Sequence, residues 1–382
     1  MARVLQVVTE LVVGGASLTM LDFAEDLASE HELLIAHGRL DDPGNAAARR
    51  ARERFPTYEL PRLARPLQLQ TDLLATRSFA ALCRHLRPDV IHSHSSKAGF
   101  IARLGAPPGV LARFHTVHGW GHTPLDPASR RELLVGAERL AALRTTKLIA
   151  VSPEVRAEGL ALRIGRQDQY AVIGAPVDMR PHAGYFDFDS ARAEARSQLR
   201  LPQDAEVIGW VGRFSAQKDP DALVAVLSAL LARRHNAYAV LIGDGPDRDA
   251  VQARLASEIA ERRVLPLGVR EDVRALYPAF DVLLHTSRWE GHPRVVREAL
   301  AERVPVVTAR AGGTSVVAGD PLLGAEVEPG DTVAYCTALE AILDEPSRRA
   351  PIDPLALAPL RATAAEPYRL MRELYASALA HA

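Results

Sequence analysis

Apolar residues recur in short β-branched runs separated by longer stretches of helical spacing. The runs read as strands are Val4–Val8, Leu33–Ala36, Val90–His92, Leu148–Val151 and Ala171–Ile173, then Val207–Val211, Ala239–Ile242, Val264–Leu267, Val282–His285 and Val304–Thr308. A further run ends at Phe114 and Val117. Between them lie amphipathic helices. In one, Asp219 caps, Pro220 takes the first helical position, and Leu223, Val226, Leu227, Leu230 and Leu231 form the apolar face. Asp126-Pro127 opens another in the same way. Strands that are apolar almost throughout, alternating with helices, predict α/β architecture with parallel sheets covered on both faces.

The alternation restarts once. Residues 181–199 lose strong apolar runs, and Pro181, Gly184 and Pro202 punctuate the region, so 181–199 reads as a linker between domains at 1–180 and 200–365. The final stripe, Tyr368, Met371, Leu374, Tyr375 and Leu379, predicts a terminal helix over 366–382 packed back on a domain. A length of 382 residues fits two domains.

Composition narrows the function. The formal net charge is −1 and no long single-sign block stands out, which disfavours nucleic acid as a ligand. Cys83 and Cys336 have no metal or redox spacing, as expected for a reducing compartment. No run approaches the ~18 apolar residues of a bilayer span, and the first residues lack the apolar core of a signal peptide. A cytoplasmic protein is expected, with peripheral membrane contact left open. Arg49-Arg50-Ala51-Arg52-Glu53-Arg54 is the candidate stretch for anionic lipid, and a solvated helix face is the simpler reading. Of 46 lysines and arginines, only Lys97, Lys147 and Lys218 are lysine.

In open α/β sheets ligands bind beyond the carboxyl ends of the strands. The residues that follow each strand are therefore the candidates. In the first half these are Gly14-Gly15, His92, His94, Ser95, Lys97, His115 and His118-Gly119, which precede Trp120. In the second half they are Arg213, Gly243-Asp244-Gly245-Pro246, Ser287, Glu290 and Gly291. Arg213 and Lys218 join a planar donor fork to a point cation, which suits a diphosphate. Pro293 opens a helix whose first amides can face phosphate, with Glu290 before it and Glu298 on it. Gly243 through Pro246 departs from the dinucleotide fingerprint and reads as a tight turn. His92 and His94 share a strand face but lack further ligands for a metal. Asp187-Phe188-Asp189 reads as a solvated loop rather than a metal-binding triplet. No resident cofactor is expected.

Seven segments in order resemble the retaining glycosyltransferases of family 4, which have the GT-B fold: two doubly wound, Rossmann-like domains facing across a cleft. They are Gly14-Gly15-Ala16, Asp89 through His94, His115 through Trp120, Leu148 through Ser152, Val211 through Phe214 with Gln217-Lys218-Asp219, Ile242 through Pro246, and Glu290 through Glu298-Ala299. Glu290 and Glu298 stand in the family's E-x7-E arrangement. The resemblance implies transfer of a sugar from a nucleotide-sugar donor, by default a UDP-sugar with GDP and dTDP as alternatives, to an unidentified acceptor such as a natural product, a lipid-linked sugar or a glycan end. Its catalytic set is Arg213, Lys218, Glu290 and His118. Arg213 and Lys218 hold the diphosphate, Glu298 the ribose and Glu290 the sugar hydroxyls, while His118 faces the sugar from the N-terminal domain. Gly15, Gly243, Arg270, Gly291, His292, Pro293, Arg294 and Val295 complete the donor side. Gly14, His94, Ser95, Lys97 and Trp120 make the acceptor side. The expected mechanism is a metal-independent front-face displacement.

The pattern departs from the family at three points. His292 replaces a usual apolar residue beside Glu290. Glu302-Arg303-Val304-Pro305 stands where a glycine is usual, so a left-handed helix cap is expected to be lost. Thr314-Ser315-Val316 stands where a glutamate usually follows Gly312-Gly313. The departures near Arg303 and Ser315 motivate one competing reading, a non-catalytic partner subunit; a GT-B epimerase or phosphorylase is the other.

Overall fold

A computed structural model of the chain describes residues 1–64, 68–182, 188–345 and 350–380. It divides into two compact units, Met1–Pro176 with Ala365–Ala382, and Val177–Ala364.

In unit 1 the described strands are β1 Arg3–Val8, β2 Glu32–Gly38, β3 Thr57–Leu60, β4 Val90–His94, β5 Ala112–Val117, β6 Lys147–Ala150 and β7 Tyr170–Val172. They form one sheet in the order β3-β2-β1-β4-β5-β6-β7, with every described pairing parallel. The two-residue repeat of a strand decides what each face packs against. Val4 and Val8 of β1 join Phe23, Phe114, Met371 and Tyr375 on one face. Leu5 and Val7 join Phe79, Ile91 and Ile101 on the other. The C-terminal helix Glu366–Ala380 buries Met371 and Tyr375 in this unit, and residues 381 and 382 lie outside the described residues.

Unit 2 repeats the plan. Its described strands are β8 Glu206–Val211, β9 Ala237–Ile242, β10 Val264–Gly268, β11 Val282–His285, β12 Val306–Ala309 and β13 Gly324–Val327. The order is β10-β9-β8-β11-β12-β13. Ile208, Trp210 and Leu284 pack under the helix Pro220–Arg233. Val207, Val240 and Leu283 pack under the helix Arg294–Ala301. In both sheets the strand order reverses beside the first strand of the unit: between β1 and β4, and between β8 and β11. A crevice opens at the carboxyl end of such a switch point.

Four local expectations need correction. The segment 181–199 is not wholly linker: Phe188–Leu199 is a helix of unit 2 that buries Phe188, Ala195 and Leu199. Of the Asp187-Phe188-Asp189 triplet, Asp187 lies outside the described residues, and Phe188 and Asp189 open that helix rather than a loop. Asp126 does not cap its helix. The helix begins at Ala128, and the Asp126 carboxylate closes a turn by accepting from Thr123 N at 2.7 Å and pairing with Arg130 at 2.9 Å. The left-handed cap after Ala301 is kept: Arg303 adopts φ 67° and Val304 N donates to Ala299 O at 2.9 Å, closing a Schellman turn. That conformation costs a non-glycine residue roughly 1–2 kcal/mol. Two bonds offset it, Ile352 N to Arg303 O at 2.9 Å and Arg303 Nε to Ile352 O at 2.8 Å.

Candidate active site

The switch point of unit 2 gathers the charged candidates. β8 ends at Val211, and Gly212-Arg213 follow it. The chain then makes a 3-10 turn over Ala216–Lys218. Asp219 sits at φ 51° and caps the next helix, accepting from Ala222 N at 3.2 Å. This turn folds Lys218 back over Gly212, where a Cβ would stand 3.5 Å from Lys218 Cε. Arg213 beside it is exposed.

β11 ends at His285 and supplies the acid. Lys218 Nζ pairs with Glu290 Oε1. Ser287 Oγ donates to the same oxygen at 2.7 Å, and His285 Nε2 lies 3.3 Å from it. His285 Nδ1 is 2.8 Å from Thr308 Oγ1 on the neighbouring strand. Thr286 Oγ1 donates to Lys218 O at 2.7 Å and ties the two loops together. Burial opposes the charge on Glu290, whose side chain is 9% exposed. The Lys218 ammonium and the His285 contact overcome that opposition and hold the carboxyl well below the usual carboxylate range. Glu290 is therefore an ionised acceptor at neutral pH, not a general acid. Burial also keeps His285 below its ordinary value, so the ring is neutral.

The helix Arg294–Ala301 starts directly after this loop, with Pro293 as its extended N-cap residue. The amides of Arg294 and Val295 thus stand in the first turn of this helix. Glu298, one turn in, lies 3.4 Å from Arg294 Nε and 3.5 Å from Tyr277 OH. Gly312 and Gly313 cross the loop closely: a Cβ on either would come within 2.5 Å of the Glu290 or Gly291 carbonyl. Their φ values of +93° and +61° also favour glycine. On the other side Gly243, at φ +135°, leaves no room for a Cβ against Gly212 O. The turn after β9 is thus clamped onto the Arg213 turn. Arg270 follows β10 and is held by Asp272 through bonds of 2.8 and 2.6 Å. His292 is half-buried beside Gly291.

Unit 1 sorts its candidates differently. Gly14, in extended conformation, is the N-cap residue of the helix Gly15–Leu27, so Gly15 opens that helix after β1. His118 follows β5 and is half-buried. Three residues expected on the acceptor side make contacts within unit 1. His94 is wholly buried and bonded to Gln6 and His118. Lys97 pairs with Asp72 at 2.5 Å. Trp120 donates to Val155 O at 3.1 Å. Ser95, at φ 64°, shares a 2.7 Å bond with Thr9 Oγ1 across the switch point. Among the described residues no group of three His, Cys, Asp or Glu is placed to hold a metal ion. Arg50 of the arginine-rich helix pairs with Asp22 and Glu25.

A family model described as glycosyltransferase family 4 matches residues 13–180, and one described as glycosyl transferases group 1 matches residues 191–354. The two leave little of either unit unmatched. The chain belongs to family 4 of the glycosyltransferases. It is 26% identical to UDP-Gal:alpha-D-GlcNAc-diphosphoundecaprenol alpha-1,3-galactosyltransferase of Escherichia coli over 75% of each chain. It is 30% identical to D-inositol 3-phosphate glycosyltransferase of Saccharomonospora viridis over 69% of this chain and 63% of that one. Among solved structures it is similar to Anabaena HepE, in complex with UDP and glucose, with TM-score 0.80 at 20% identity over the whole of both chains. Sucrose-phosphate synthase from Thermosynechococcus elongatus gives TM-score 0.79 at 20% identity, covering 98% of this chain and all of that one. The fold is GT-B, and the family's chemistry is glycosyl transfer. Among the described residues no helix is long and apolar enough to cross a membrane.

Sequence reasoning singled out Arg213, Lys218, Ser287, Glu290 and Glu298 but passed over His285, which lies 3.3 Å from the Glu290 carboxylate. His285 read as a strand residue. The available signal was a histidine closing an otherwise apolar strand three residues after Val282.

Proposed function

We propose that this glycosyltransferase moves a sugar from a UDP-sugar to an acceptor in the cytoplasm, with retention at the anomeric carbon and without a metal. The observation that carries the reading is the Lys218–Glu290 pair seated beside Arg213 at the switch point of unit 2. Arg213 and Lys218 take the diphosphate, aided by the first-turn amides of Arg294 and Val295. Glu298 accepts from the ribose, and Glu290 accepts from hydroxyls of the transferred sugar. Glu290 Oε1 already receives Lys218 and Ser287, which makes this carboxylate a poor nucleophile. A front-face displacement follows: the acceptor oxygen bonds to the anomeric carbon as the C–O bond to the diphosphate breaks, and the leaving phosphate takes the acceptor's proton. The cations stabilise the charge that builds on that phosphate, where each charge-assisted bond contributes roughly 1.5–3 kcal/mol. His118 of unit 1 is the proposed contact to the sugar. The nucleotide-linked substrates in the names of HepE's complex and the Escherichia coli relative support UDP over GDP or dTDP.

A thermal-shift screen of nucleotides and nucleotide sugars tests the donor, because a ligand of the folded state raises Tm. UDP and one UDP-sugar should raise it, and EDTA should leave turnover unchanged. Stabilisation by GDP or dTDP alone, or activity lost to EDTA and restored by one divalent ion, would overturn the corresponding part.

A further inference from the structure

A buried hydrogen-bond chain crosses unit 1 from His118 to the C-terminal helix. His118 Nε2 lies 3.1 Å from His94 Nδ1. His94 Nε2 is 2.9 Å from Gln6 Oε1. Gln6 Nε2 is 3.4 Å from Tyr375 OH. Tyr375 OH is 2.7 Å from His92 Nδ1, and His92 Nε2 is 2.7 Å from Thr116 Oγ1. Strand register brings these groups together: Gln6 of β1 stands opposite His92 of β4, which stands opposite Phe114 of β5. Gln6, His92, His94 and Tyr375 are all wholly buried.

Every inner member is a neutral donor–acceptor, so the chain runs in one of two directions. In the first, each hydrogen bond is donated from His118 toward Thr116. In the second, each is reversed. The distances favour the first. The 2.7 Å contact suits a phenol donating to an imidazole nitrogen. The 3.4 Å contact has the Gln6 amide nitrogen facing the phenol oxygen, and its length lies nearer the N–H···O range of about 2.7–3.2 Å than the O–H···O range of about 2.5–3.0 Å. Tyr375 therefore spends its proton on His92 and receives the Gln6 amide. The Gln6 carbonyl then receives His94 Nε2–H, and His94 Nδ1 is left as a lone pair. Burial, reinforced by His92, His118 and His115, keeps the His94 ring neutral.

We infer that Gln6 and Tyr375 are positioning residues that fix His118 as its Nε2–H tautomer, so that Nδ1 is the nitrogen with which His118 accepts from a donor-sugar hydroxyl. The tautomer rests on unit 1 alone. Its use on a sugar rests on the reading under Proposed function. The last helix of the chain thereby sets the hydrogen-bonding sense of a residue that follows β5, through contacts 283 and 369 residues apart in sequence.

The test is 15N NMR of histidine-labelled full-length protein, with His118→Gln assigning the His118 signals. At neutral pH the wild type should show a protonated Nε2 and an unprotonated Nδ1 at His118. Gln6→Met and Tyr375→Phe should each shift His118 toward a tautomer mixture while the far-UV spectrum and a cooperative thermal transition are retained. In UDP-sugar turnover the same variants should lower kcat about 10-fold and leave donor KM within about 2-fold. Nδ1–H at wild-type His118, or an unchanged tautomer in both variants, overturns the inference. Full turnover by His118→Gln with the tautomer as expected overturns only the sugar contact.

Discussion

The two switch points of this enzyme occupy the same place in the same topology, yet are built from opposite chemistry. In unit 1, β1 and β4 enclose neutral groups: Gln6, His92 and His94, stacked or bonded, with Tyr375 closing the set. In unit 2, β8 and β11 deliver an ion pair, Lys218–Glu290, with Arg213 exposed beside it. A neutral network buried on all sides fixes directions. It has no charge to offer a ligand. A pair at the rim, with Lys218 16% exposed, is the one proposed to exchange its partner for a phosphate oxygen. Topology supplies the crevice in both units, and the residues at the strand ends decide its chemistry.

The largest effect expected from breaking this contrast is at Lys218. Lys218→Ala removes the proposed phosphate donor and leaves the buried Glu290 without its cation, so UDP-sugar turnover should fall about 10²–10³-fold. Initial rates at saturating donor check it, and a loss of less than about 5-fold would place the charged centre outside the chemistry.

A second prediction uses pH. Burial holds His92 near 3, and holds His94 and His115 well below the ordinary histidine value. Below about 6.5 the unfolded chain binds protons that the folded rings refuse, so stability is full above that pH and falls as pH drops toward the folded values. Between pH 6.5 and 5 each such ring contributes about 2 kcal/mol of loss. Unit 1 carries three in one cluster, against His285 in unit 2. Protection factors from hydrogen exchange should therefore decline more steeply for β4 and β5 than for β11 and β12. Equal slopes would remove the distinction.

Glu290→Gln sharpens the other side. Its folded carboxyl is depressed, so the pair's stabilisation is present above about 4.3, the unfolded value, and lost as pH falls below it. The variant should melt below the wild type at pH 7, by about 1–3 kcal/mol, and the gap should shrink steadily under acid. A gap independent of pH would mean the carboxylate's charge contributes nothing. The smallest effect is expected at the end of the neutral chain: Thr116→Val should cost about 1 kcal/mol and leave donor affinity unchanged, as chemical denaturation and donor titration would show.

Much of this was legible along the chain, for identifiable reasons. The central strands are apolar on both faces, so runs such as Val207–Val211 and Val282–His285 stood out. The edge strands Thr57–Leu60 and Gly324–Val327 are four residues each with polar or small positions, and carried no such signal. Arg213 was visible because it directly follows an apolar strand and a glycine, Lys218 because lysine is rare in this chain, and Glu290 because it lies in the loop before a helix that Pro293 opens. The partners that orient them were not. Tyr375 reads locally as one more apolar residue of a helical stripe, and its hydroxyl finds His92 only once the sheet is assembled. Arg303 misled in the opposite sense, because its left-handed cap is held by Ile352, which no local pattern reveals.

The central claim is that Arg213 and Lys218 grip the diphosphate of the donor. Titrating wild type, Arg213→Ala and Lys218→Ala with UDP and, separately, with uridine tests it most directly. Each variant should weaken UDP by about 10- to 100-fold, equal to roughly 1.4–3 kcal/mol, and leave uridine unchanged. UDP binding equal to wild type in both variants would contradict the account.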